Sequence, residues 1–137
     1  MPPDIEVVAE ARAWFSRAAQ DLRAADFEMT AVPPLTADVA FHAQQAAEKA
    51  MKGLLTLHSV VFRKTHSLVE LGQACASVEP DLEPLLIEAA PLTEYAWRYR
   101  YPGEPDEPLV DEAMAALTTA HRVYESLLRV LPEAVRP

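Results

Sequence analysis

Apolar side chains recur at three- and four-residue steps along most of this chain. Between about residues 5 and 30, Val7, Val8, Ala11, Trp14, Phe15, Ala18, Leu22, Ala25 and Met29 form one helical face. Arg12, Arg17, Asp21, Arg23 and Asp26 mostly take the other side, and Pro33 and Pro34 close the segment. A second helix is predicted over about 36–58, with Thr36 and Asp38 as its N-cap region. Its stripe of Val39, Ala43, Ala46, Ala47, Ala50, Met51, Leu54 and Leu55 is rich in small residues, which admit a close neighbour. Gln44, Gln45, Glu48, Lys49 and Lys52 are set around that stripe. A basic loop, VVFRKT, leads to a short helix over about 66–77 that turns Leu68, Leu71 and Cys75 inward. A fourth segment, about 81–100, contains Pro91, which kinks or splits it. The proline-rich stretch PGEPDEP at 102–108 has no aliphatic residue and is expected to stay outside the core. A fifth helix over about 107–131 stops at Pro132. No segment alternates like a strand, so the pattern predicts an all-α protein. Its expected form is an up-and-down antiparallel bundle of four long helices plus one short helix, in a single domain spanning 1–137.

Composition narrows the function classes. The chain has 137 residues, half of them hydrophobic, with three glycines, twelve prolines and one cysteine. Cys75 alone excludes an internal disulfide and a multi-cysteine zinc site, and its apolar helical setting favours core packing. No apolar run reaches the ~18 residues of a membrane span, and the acidic start MPPDIEVVAE lacks signal-peptide features, so the expected location is cytoplasmic. The net charge of −9 argues against generic binding of a DNA duplex. The charge is uneven, however. Residues 43–66 carry Lys49, Lys52, Arg63 and Lys64 against Glu48 alone, whereas 67–94 carry six acids and no base. Arg98 and Arg100 then form a second basic island within 95–103. Two basic islands in an acidic shell suit a local anionic ligand.

Motifs of familiar enzyme classes are missing. There is no G-x-G-x-x-G, Walker loop or G-x-S-x-G. His42, His58, His66 and His121 show no metal-ligand spacing, so neither metal nor cofactor is expected. His66 opens the third helix beside the basic loop, in either a capping role or a site role. The densest feature is YAWRYRYPG at 95–103, where arginines alternate with aromatics. Guanidinium groups pair with phosphates and aromatic faces stack on bases, although the same residues also suit the packed end of a bundle.

Three local patterns coincide with these features. They are AxxDLxxA (Ala18, Asp21, Leu22, Ala25), FHAQQAAEKAMKGLL at 41–55 and THSLVEL at 65–71, followed by YRYPG at 99–103. Their combination and order over residues 12–131 resemble the HEPN family (higher eukaryotes and prokaryotes nucleotide-binding domain). The resemblance implies a four- or five-helix bundle that forms homodimers and, in small prokaryotic members, works with a minimal nucleotidyltransferase in toxin–antitoxin or related systems. Many members are metal-independent ribonucleases marked by an arginine followed four to six residues later by histidine. That pattern is absent here. Arg98 and Arg100 precede no histidine at that spacing, Arg63 precedes His66 by only three residues, and no histidine follows Arg122. The expected protein is therefore a non-catalytic nucleotide- or RNA-binding member with no catalytic residue assigned. Its candidate nucleotide- or phosphate-binding residues are Lys49, Lys52, His66, Arg98, Arg100 and Tyr101. Gln44, Gln45 and Glu48 match the family's second-helix element, as site residues or as interhelical hydrogen-bonding groups. The rival readings are a diverged ribonuclease toxin using His66 or His121, and an interaction module with no small ligand.

Overall fold

The structure, a computed structural model, describes residues 2–103 and 106–137. Among the described residues five α-helices follow in order: α1 (Ile5–Met29), α2 (Thr36–Leu57), α3 (Leu68–Val78), α4 (Glu83–Ala89) and α5 (Val110–Arg129). Short 3-10 turns occupy Pro80–Leu82, Ala90–Ala96 and Glu133–Val135, and no strand is present among the described residues. No helix among them is long and apolar enough to cross a membrane.

Local chemistry sets most of the boundaries. Asp4 caps α1 by accepting the Glu6 N–H at 2.7 Å, and Ser67 caps α3 by accepting the Glu70 N–H at 3.2 Å. The expected cap at Thr36 and Asp38 does not form. Leu35 holds the N-cap position with no side-chain bond, Thr36 begins the helix and is buried, and Asp38 is turned to another use described below. The fourth segment is split rather than long. Pro91 has no N–H for the Ile87 carbonyl and its ring would crowd that turn, so the α-helix stops at Ala89 and the chain continues as 3-10 turns. The bundle is thus built on three long helices, with α3 and α4 as a shorter pair. Of the 102–108 stretch, Glu104 and Pro105 lie outside the described residues. Pro108 departs from the expectation, being buried ahead of α5. A proline ring is apolar and brings no N–H that burial would leave unpaired.

The centre of the molecule is α2, which touches α1, α3, α5 and the Ala90–Ala96 segment. It runs antiparallel to α1: Lys49 meets Asp21, and His42 meets Glu28 one end further along. The approach is closest at Gly53, where an added Cβ would sit 2.6 Å from the Phe15 ring and 3.1 Å from Trp14 Cβ. A larger residue there would push α1 away. The core joins Ala11, Phe15, Ala18 and Leu22 of α1 to the alanine stripe of α2, with Leu68, Leu71, Leu117, Val123 and Leu127 from the other helices. Cys75 lies fully inside, its thiol 3.5 Å from the Met51 carbonyl, as expected of a packing residue.

Candidate functional site

Because α2 is covered on several sides, part of its polar set is forced inside. Gln44, Glu48 and Lys52 are four residues apart, so they stack along one helical face. All three are buried. An unpaired charge would be costly there, and the side chains answer one another. Lys52 Nζ donates to Glu48 Oε2 at 2.9 Å, and Gln44 Nε2 donates to Glu48 Oε1 at 3.1 Å. Gln44 Nε2 also reaches the His66 carbonyl at 3.2 Å, while Gln45 Nε2 donates to Gln44 Oε1 at 2.7 Å. The Lys52 ammonium sits 5.6 Å from the Trp14 ring centre and 6.0 Å from that of Phe62, facing their π-clouds. No buried side-chain nitrogen or oxygen lacks a partner among the described residues.

Glu48 also reaches the surface through His66, whose Nδ1 lies 2.8 Å from Glu48 Oε1. Burial alone would raise the Glu48 pKa. The bonds from Lys52, Gln44 and His66, with the lysine's charge, outweigh it and hold the pKa below the usual 4.5. An ionised Glu48 can only accept, so Nδ1 carries the hydrogen of this bond and the ring's Nε2 is left to face away. The His66 side chain is 62% exposed. A buried carboxylate thus orients an exposed imidazole. The backbone beside it is held too: the Leu68 N–H donates to Thr93 Oγ1 at 3.1 Å, and Thr93 donates to the Ala90 carbonyl at 2.7 Å. These bonds tie the start of α3 to the segment that leads into the arginines.

After Ala96 the chain forms an aromatic tip. Tyr95 is buried and donates to Glu112 of α5 at 2.6 Å. Burial first, and then that carboxylate, pushes its phenol well above the usual tyrosine pKa. Tyr99 stacks on Tyr95 and takes a left-handed φ of +66°, uncommon for an aromatic residue. Beyond this reversal Arg100 returns to the start of α2, where its guanidinium lies 3.9 Å from the Phe41 ring centre and donates to Asp38 at 3.2 Å. Arg98 donates to Glu94 at 2.8 Å and lies over the Tyr99 ring. Trp97 and Tyr101 point outward, Tyr101 being 70% exposed.

The six candidate residues therefore do not converge on one cleft. Lys52 and His66 meet on Glu48, Arg100 sits at the first turns of α2, and Arg98 stays on its own segment. Lys49 is directed toward α1, where it pairs with Asp21 at 2.7 Å. Tyr101 stands at the exposed tip. None of the six lines the surface cavities of about 610, 420 and 380 Å³. Sequence reasoning missed the acids that hold these cations, Asp21, Asp38 and Glu94, and the rings of Trp14, Phe41 and Phe62 beneath them. Only the four-residue spacings, Glu48 to Lys52 and Glu94 to Arg98, were visible as helical pairs. No group of three or more histidine, cysteine or acidic residues placed to hold a metal occurs among the described residues.

No curated protein and no solved structure matches the chain. The family model of the HEPN domain matches residues 11–131, from the first buried turn of α1 to just past the end of α5. The matched span contains the Gln44–Glu48–Lys52 ladder, His66 and the arginine tip, and covering most of the chain it shows that this protein belongs to the HEPN domain family.

Proposed function

We propose that this protein is a nucleotide- or RNA-binding HEPN member that works with a nucleotidyltransferase partner, in a pair of the toxin–antitoxin type, without cleaving RNA itself. HEPN domains have nucleotide- and RNA-related roles. The observation that carries the reading is the tip at 97–101, where Arg98 and Arg100 stand at the surface beside the outward rings of Trp97 and Tyr101. Both guanidiniums already bond to exposed or half-exposed carboxylates, Glu94 and Asp38. A phosphate replaces these acceptors with a more highly charged one, and the exposed rings stack on the base. His66 supplies a further polar contact through its free ring edge. Lys52 acts through Glu48 by keeping that carboxylate ionised, whereas Lys49, paired with Asp21 on the α1 side, would reach a ligand only by leaving that acid.

The test is a thermal-shift titration of the whole protein against nucleotides and a short single-stranded RNA, at low and moderate salt. A ligand of the native state raises the melting temperature with concentration. The reading expects a shift that weakens with salt and disappears in the variant carrying both Arg98→Ala and Arg100→Ala. A flat panel, or a shift unchanged in that variant, overturns it.

One observation favours a second reading, a diverged ribonuclease. The Glu48–His66 pair presents an oriented imidazole to solvent, the arrangement a general base requires. Metal-free cleavage of mixed RNA that is lost in His66→Gln would select this reading over the first.

A further inference from the structure

The groove between α3 and α4 is not used by the site above. It has a volume of about 610 Å³ and a mainly apolar lining, with Leu68, Val69, Gly72 and Ala76 on one wall and Leu86 and Ile87 on the other. Val69 is 50% exposed and Ile87 65% exposed, so two branched aliphatic side chains stand at its lips in water. Gly72 and Ala76 lie one turn apart on the same face of α3 and line the groove; a Cβ at Gly72 would stand 3.5 Å from Leu86 Cβ, so the glycine lets α4 pack close at the groove floor. The lining of α3 runs from Leu68 to Ser77, about 14 Å at ~1.5 Å per residue, which accommodates roughly ten residues of a docked helix.

The charge around the groove says which helix fits. Glu83 lines one end of it, and Asp81 stands exposed in the turn before α4. Neither has a cationic partner among the described residues, unlike Glu70, Glu88 and Glu94, which each hold an arginine. No basic residue occurs between 67 and 94. In a two-fold pairing through this face each copy would offer the other only this same lining, which holds no basic residue, so Asp81 and Glu83 would meet no cation and a second copy is a poor occupant. We infer that the α3–α4 groove docks an amphipathic helix of a partner protein, with an apolar stripe of i, i+3/i+4, i+7 spacing and basic residues in the terminal turn that meets Asp81 and Glu83. This surface shares no residue with the nucleotide-binding reading and stands or falls apart from it.

The experiment is an NMR titration of the full-length, isotope-labelled protein with synthetic 16-residue helices. One carries a leucine stripe and lysines in a terminal turn, and its control carries glutamates at the same positions. The lysine helix is expected to shift the signals of Gly72, Ala76 and Ile87 saturably. The glutamate control should bind at least tenfold more weakly. Charge reversal by Asp81→Lys with Glu83→Lys should invert that preference. Val69→Ser with Ile87→Ser should remove binding while leaving the circular dichroism of the fold intact. Equal binding of the two helices, shifts confined to other surfaces, or no saturation at millimolar peptide overturns the inference. So does a wild-type dimer, seen by light scattering, that the Val69→Ser/Ile87→Ser variant converts to monomer, because a second copy would then be the occupant.

Discussion

Glu48→Gln tests the buried ladder on which the candidate site is built. The substitution keeps the side-chain shape and an oxygen that can accept a hydrogen bond. It removes the negative charge that Lys52 and His66 both engage. The Lys52 side chain is only 10% exposed, so its ammonium cannot simply return to water. Breaking a buried ion pair by removing one partner costs about 3–5 kcal/mol. The aromatic faces of Trp14 and Phe62 remain, and His66 is solvated, so the expected loss is about 2–4 kcal/mol. For a chain of this length that lowers the melting temperature by roughly 10 °C. Urea unfolding at fixed protein concentration should show a lower midpoint with an unchanged slope.

The pH dependence follows from the same bonds. The folded-state pKa of Glu48 lies below its ordinary value of 4.5. The unfolded chain therefore binds the proton first as pH falls. The stabilisation is fully present above 4.5 and is lost as pH drops through the lower, folded value. The gap between wild type and Glu48→Gln should be constant near neutrality and close in acid. Removing both charges with Glu48→Leu and Lys52→Met should cost less than the sum of Glu48→Leu and Lys52→Met made singly. A loss below about 1 kcal/mol for Glu48→Gln at neutral pH, or strict additivity of the double variant, would show that Glu48 and Lys52 are not coupled as a buried ion pair.

Three further outcomes are expected. Gly53→Ala should destabilise by about 1–3 kcal/mol in spite of alanine's better helix propensity, because its Cβ meets the Phe15 ring; a stabilised variant in thermal melts would contradict the close packing. Ser67→Ala removes the α3 cap and should cost about 1 kcal/mol by chemical denaturation, with a change in the His66 signal by NMR because the cap adjoins the Glu48 contact. Cys75 is buried and its thiol pKa is pushed by desolvation to about 12, so a disulfide reagent at pH 8 should label it only in denaturant; rapid labelling of the native protein would show that α3 does not stay on α2.

Much of this architecture was legible along the chain because helices announce themselves through local period. The three- and four-residue steps placed α1, α2 and α5 within a few residues, and Pro91 marked the break in the fourth segment. The four-residue spacing of Gln44, Glu48 and Lys52 is compatible with a common face, but along the sequence they read only as part of a polar set around the apolar stripe. Local period carries no information about what covers that face, since burial depends on neighbours distant in sequence. Only the packing of α1, the Phe62–His66 loop and the Ala90–Ala96 segment around α2 turned polar positions set beside an apolar stripe into an internal network. The same reason separates the two basic islands. Counted along the sequence they are runs of positive charge, but in space Lys49 belongs to Asp21, Arg98 to Glu94 and Arg100 to Asp38. Local pattern along the chain therefore carries the three long helices, their apolar faces and the family resemblance. The tertiary structure decided which charges are internal and which face water, because that choice is made by the desolvation and pairing that only the packed helices impose.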